Sequence, residues 1–161
     1  MKKNRFSTVL VAAGLFAAFG LSALCPQVAV AQDPHACIGA SYIITNTDST
    51  GAFVSRGVVA LHGDHTLAVT DSGQGGPTYF FSSQLGSWSF DSKGDVVGRT
   101  IDFDFAPDND TVRLDYNFKF EAGGKISGSV TILYFPQTAD PLGSGGTPGG
   151  TITFTGYRIN P

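Results

Sequence analysis

The residues of this chain that could do chemistry are polar side chains set into apolar rows. Arg99 falls in the alternating row Val97, Arg99, Ile101, Phe103, Phe105. An arginine facing an apolar interior needs an anion, because an unpaired buried charge is too costly. A ligand carboxylate or phenolate could supply it through a bidentate grip. So could Asp71, which follows Leu67 and Val69 on a row of its own. The third reading is an arginine at a rim, with its head in water. Tyr116 and Tyr134 also stand in apolar rows, and their hydroxyls need partners. Those partners are a core network or a ligand, and either tyrosine could donate a proton in an isomerisation. Phe103, Phe118 and Trp88 complete the candidate ligand contacts, although Trp88 is equally well explained as core.

Other clusters carry less. His62 and His65 flank Gly63-Asp64, where a tight turn splays the imidazoles and no fourth ligand follows. They read as exposed turn residues, and no metal is expected. Asp102, Asp104, Asp108 and Asp110 lack the glycine and distal glutamate of a calcium loop. If Arg99 faces inward, Asp102 and Asp104 face outward and make a solvated acidic edge. Arg56 has apolar residues in both neighbouring rows, so its direction is undecided and a surface position is the default. The chain holds no G-x-S-x-G, nucleotide loop or H-E-x-x-H, and its serines have no identifiable base. No cofactor is implied.

These residues sit on strands. From Thr111 to Glu121 alternation is unbroken, with Val112, Leu114, Tyr116, Phe118 and Phe120 on one side. A period of two marks a half-buried antiparallel strand. Nine strand candidates follow from the same pattern: Ala40–Thr47, Ala52–His62, Thr66–Asp71, Tyr79–Ser83, Ser87–Phe90, Val96–Phe105, Thr111–Glu121, Lys125–Phe135 and Thr151–Ile159. Short runs of Gly, Asp, Asn and Ser separate them. The Gly/Pro-rich segment Pro136–Gly150 reads as a mobile loop, and no helical period follows residue 31.

Side-chain matching suggests two registers. Glu121 opposite Lys125 brings Phe120 to Ile126, Phe118 to Gly128, Tyr116 to Val130, Leu114 to Ile132 and Val112 to Tyr134. In the preceding hairpin, Phe103 opposite Val112 sets Asp102 against Arg113, whereas the next register on that face opposes Asp102 and Asp115. The first is preferred on charge. Strands joined by tight turns, each with one dry face, need a second wall. The expected fold is therefore all-β, an up-and-down antiparallel meander of about eight strands closed into a barrel. A two-sheet sandwich is the alternative.

Lys2, Lys3 and Arg5, the apolar run Thr8 to Leu24, and Ala29-Val30-Ala31 read as a signal peptide over 1–31. An N-terminal arm (32–39) and one domain (40–161) follow. The leader removes three of 10 basic residues and none of 13 acidic ones, so seven remain against thirteen, a charge of −6. That disfavours nucleic acid or an anionic membrane as partner. Cleavage also removes Cys25, which leaves Cys37 without an intramolecular partner and next to no ligand but His35. A periplasmic or secreted location is expected, and self-association into a homo-oligomer stays open.

Gly86-Ser87-Trp88 has the G-x-W form of the lipocalin motif, although it lies mid-chain rather than on the first strand. The meander resembles small calycin-like barrels, whether lipocalin or allene oxide cyclase-type, and residues 55–76 resemble secreted bacterial barrel proteins. The resemblance implies a cavity for a small hydrophobic or amphipathic molecule. Two functions are compatible with it. One is a binding barrel with an aromatic-lined cavity, in which Arg99 and a tyrosine fix the ligand's polar end. The other is a cyclase or isomerase acting on a small hydrophobic substrate in the same cavity, with Arg99, Asp71 or a tyrosine polarising it.

Overall fold

A computed structural model of the protein describes residues 39–75 and 80–161. The leader, His35, Cys37 and Tyr79 lie outside the described residues. Eight antiparallel strands follow one another around a closed barrel. They are β1 (Ala40–Thr47), β2 (Phe53–Leu61), β3 (Thr66–Asp71), β4 (Gln84–Phe90), β5 (Val96–Phe103), β6 (Asp110–Glu121), β7 (Lys125–Pro136) and β8 (Thr147–Arg158). Closure comes from β1 against β8, where Tyr42 lies opposite Arg158 and Thr47 opposite Thr153. Among the described residues no strand edge is left open, and the sandwich alternative is set aside.

Of the expected Tyr79–Ser83 strand, the described part, from Phe80 on, holds a bridge between Phe81 and Asp104 rather than a strand. The Ser87–Phe90 strand starts earlier, at Gln84, and β5 stops at Phe103, short of the expected Phe105. The segment read as a loop over 136–150 is shorter, since β8 begins at Thr147 and pairs Thr147 with Tyr134 and Pro148 with Leu133. The remaining turn is tied down by Arg113, whose Nη1 donates to the carbonyls of Pro141 and Gly143, each at 2.9 Å. The same guanidinium lies 5.2 Å from the centre of the Phe135 ring.

The β6–β7 register is as expected from Glu121–Lys125 through Val112–Tyr134. Its turn holds Gly123 and Gly124 at φ 75° and 72°, a region that side chains with a Cβ avoid. Gly128 faces Phe118, and a Cβ there would lie 2.4 Å from that of the phenylalanine. The ring therefore needs a glycine across from it.

The β5–β6 register is one residue away from the expected one. Phe103 pairs with Thr111, Asp102 with Val112 and Arg99 with Asp115. A slip of one residue exchanges the two faces of a strand. Val96, Gly98, Thr100 and Asp102 therefore face inward, while Val97, Arg99, Ile101 and Phe103 face outward. A reason is visible on β4. Trp88 packs inward opposite Gly98, where a Cβ would already meet the Leu67 side chain at 2.7 Å. Only the small member of β5 at that level leaves room for the indole.

The barrel has two unlike ends. Tight turns after β2, β4 and β6 close one, where β1 starts and β8 finishes. There Tyr42, Trp88, Phe90, Phe118, Phe120 and Phe154 pack in edge-on and tilted contacts, with ring centres 5.3–6.5 Å apart. This aromatic plug fills its half of the interior. The longer connections after β3, β5 and β7 gather at the other end.

Candidate ligand-binding site

At the loop end the interior is hollow. A cavity of about 320 Å³ is walled by aliphatic side chains, among them Ile44, Val69, Leu114, Val130 and Ile152. Ligand pockets run from about 300 to 1,000 Å³, so the volume suits a small molecule. Strand rows that carry aromatic rings lower down carry these smaller residues here. On β6 the inward sequence from plug to mouth is Phe120, Phe118, Tyr116, Leu114, Val112. Among the described residues, aromatic contributions to the cavity are limited to Phe81, Tyr116 and Tyr134.

Polar groups converge on one side of this void. Asp71, at the end of β3, accepts from Asn46 Nδ2 at 2.9 Å and from Ser55 Oγ at 2.8 Å through one carboxylate oxygen. Its other oxygen accepts the backbone N–H of Gly73 at 2.7 Å. Asn46 Nδ2 also lies 2.9 Å from Ser55 Oγ. Gln84 Oε1 accepts from the Tyr116 hydroxyl at 2.5 Å and from Thr100 Oγ1 at 3.1 Å. These pairs tie β1, β2 and β3 together, and β4, β5 and β6 together, beneath the mouth.

Two acceptors in this network are left over. Asp102 is 3 % exposed and Asn46 is 7 % exposed, and both line the cavity. Neither Asp102 Oδ1 nor Asn46 Oδ1 has a hydrogen-bond partner among the described residues. Burial pushes the Asp102 carboxyl up to about 7, helped by the charge of Asp104 two residues on. Asp104, half-buried at the mouth, is itself raised by burial and then by Asp108 and Asp110. Tyr116 is held above the usual phenol range, chiefly by burial and then by Asp102 and Asp71. It stays a neutral hydroxyl, and its proton is committed to Gln84.

The structure thus redistributes the residues expected from sequence. Asp71, Tyr116 and Tyr134 come together at the cavity. Phe118 and Trp88 are buried in the plug, where Trp88 Nε1 donates to the His62 carbonyl at 3.1 Å. Arg99 and Phe103 lie on the outer face, a correction that follows from the one-residue change in register. Arg99 Nε meets Asp115 there at 2.5 Å, and Phe103 is 50 % exposed. Asp102 and Asp104, expected outside, take their place within. Arg56 and His62 are exposed, and His65 packs its ring 4.9 Å from Trp88. Among the described residues no three His, Cys, Asp or Glu side chains converge as metal ligands.

Asn46, Ser55 and Gln84 were not singled out from sequence, and Asp102 was read only as part of an outward acidic edge. For two of them a signal existed. Asn46 ends the row Ala40, Tyr42, Ile44, and Gln84 begins the row Gly86, Trp88, Phe90. No family model, curated protein or solved structure matches this chain.

Proposed function

We propose that this protein is an exported barrel that takes up a small amphipathic molecule at its loop end. The observation that carries the reading is an apolar-walled void with two buried, unpartnered acceptors on its wall, Asp102 Oδ1 and Asn46 Oδ1. Nearly all buried polar atoms in folded proteins are hydrogen-bonded, so vacant acceptors facing a void are places for a ligand's donors. Export rests on the basic and apolar leader and its small-residue cleavage pattern. The resemblance to lipocalins and allene oxide cyclase-type barrels supports the same reading, as does the charge of −6, which turns nucleic acid away.

The test is native mass spectrometry with solvent extraction of protein purified from its own periplasm or medium. A stoichiometric small molecule that is absent from Val130→Phe, which fills the void, is the expected result. A molecule retained by that variant places binding elsewhere and overturns the reading.

Asp102 also favours the second function, a cyclase or isomerase. A buried carboxyl near neutrality can take a proton from a substrate and return it. Such an enzyme would exchange carbon-bound protons of the extracted molecule with deuterium from heavy water, and Asp102→Asn would stop the exchange. Binding without exchange in the wild-type protein removes this second function.

A further inference from the structure

We infer that the cavity selects a cationic head group, a protonated amine on an apolar body, rather than the carboxylate or phenolate that an inward arginine would hold. The inference rests on the binding function proposed above and adds the sign of the ligand's charge. Three carboxyl groups line the void, from Asp71, Asp102 and Asp104, and no Lys, Arg or His does so among the described residues. Arg99 and Arg113, the arginines of β5 and β6, both turn outward to Asp115, and Lys119 of β6 pairs with Asp95.

The enclosed polar atoms of the wall lean in the same direction. Both Asn46 Nδ2 contacts, the Ser55 hydroxyl, the Thr100 hydroxyl and the Tyr116 hydroxyl are spent on Asp71, Ser55 and Gln84. Among the described residues, the fully enclosed side-chain atoms on the cavity wall that lack a partner are both acceptors, Asp102 Oδ1 and Asn46 Oδ1, while the Gln84 amide N–H groups remain as donors beside them. An ammonium group brings three donors and no acceptor, which suits those two acceptors. It would also neutralise part of the mutual repulsion between Asp102 and Asp104, neither of which has a cationic neighbour in the cavity among the described residues. A carboxylate ligand would add a further negative charge to a low-dielectric pocket and leave both acceptors unmet.

The titratable groups that share the void with Asp102 among the described residues are Asp71 from β3, Asp104 just past the end of β5, Tyr116 from β6 and Tyr134 from β7. None can supply a positive charge. Preference for an amine should therefore track the Asp102 proton. It should be full above pH 8 and decline as the pH falls through about 7, where Asp102 becomes neutral.

Octylamine, octanol and octanoate share one apolar tail and differ in head group, so calorimetry with the three separates charge from shape. At pH 8 the amine should bind about tenfold or more tighter than the alcohol, the scale of one charge-assisted hydrogen bond. Octanoate should be weakest. In Asp102→Asn the amine-to-alcohol ratio should fall to within about threefold, and Asp104→Asn should lower it by a smaller factor. Arg99→Ala, on the outer face, should leave the ratio unchanged. Alcohol or octanoate binding as tightly as the amine overturns the cationic head group and leaves the cavity intact. If none of the three binds, and Val130→Phe is indifferent to all, the cavity function fails and the inference fails with it.

Discussion

The two halves of this barrel use the same eight strands and the same alternation, yet one is solid and the other hollow. In the plugged half, inward positions are aromatic, and bulk is matched by a bare backbone, as at Phe118 and Gly128 or Trp88 and Gly98. Toward the mouth the rows shrink to Val, Leu and Ile and end in Asn46, Asp71 and Asp102. Tight packing and unmet polar groups are thus divided along the barrel axis. Residues near the turns hold the fold, while residues near the loops tolerate unmet polar atoms that a core would not.

That division can be broken by measurement. Phe118→Ala in the plug should cost about 3–5 kcal/mol by chemical denaturation, as large-to-small changes in tight cores do. Ile132→Ala, on the half-buried cavity wall, should cost clearly less. Equal losses would mean the two halves are packed alike. Next in size is Asp102→Asn, which should stabilise the protein at pH 8 by up to about 4 kcal/mol. The Asp102 pKa is raised from an ordinary 3.8 to about 7 in the folded protein. Its contribution to stability is therefore complete below pH 3.8, is lost progressively up to pH 7, and stays lost above. Thermal melts at pH 3 and pH 8 should show the gain only at the higher value. No gain at pH 8 would show that the carboxyl is already satisfied.

On the outer wall, Arg113→Ala should cost about 1.5–3 kcal/mol, because its charged hydrogen bonds hold the β7–β8 connection. Hydrogen exchange should quicken at Leu142 and Gly143 and stay unchanged in the plug. The smallest effect is expected from Arg99→Ala, about 0.2–1 kcal/mol, since the Arg99–Asp115 pair is largely in solvent. A larger loss there would place Arg99 back among the structural residues.

Much of this was legible in the chain. The β6–β7 hairpin could be registered residue by residue, because Val112 to Phe120 leave only one face for the core and Glu121 meets Lys125 at the turn. Asp71, Tyr116 and Tyr134 were placed inward by the same logic. Strand β5 defeated it for a physical reason. Both of its rows contain apolar residues, and the row with the larger ones, Val97, Ile101 and Phe103, is the one left outside. Counting hydrophobicity favours that row. What decides the face is shape, since the indole of Trp88 needs Gly98 across from it, and the aspartates follow by parity. Local rules give way here, at the strand that delivers Asp102 to the cavity, which is where a functional site would make them yield.

The seam between β1 and β8 has a practical side. Ala40 enters and Arg158 leaves at the plugged end, side by side, with the Ile159 N–H bonded to the Ser41 carbonyl at 2.8 Å. A tether joined to either end of the barrel segment would grip it by its base. On a sensor chip or a fusion partner, every copy would then stand like a cup on a saucer, with its open rim turned to the solution.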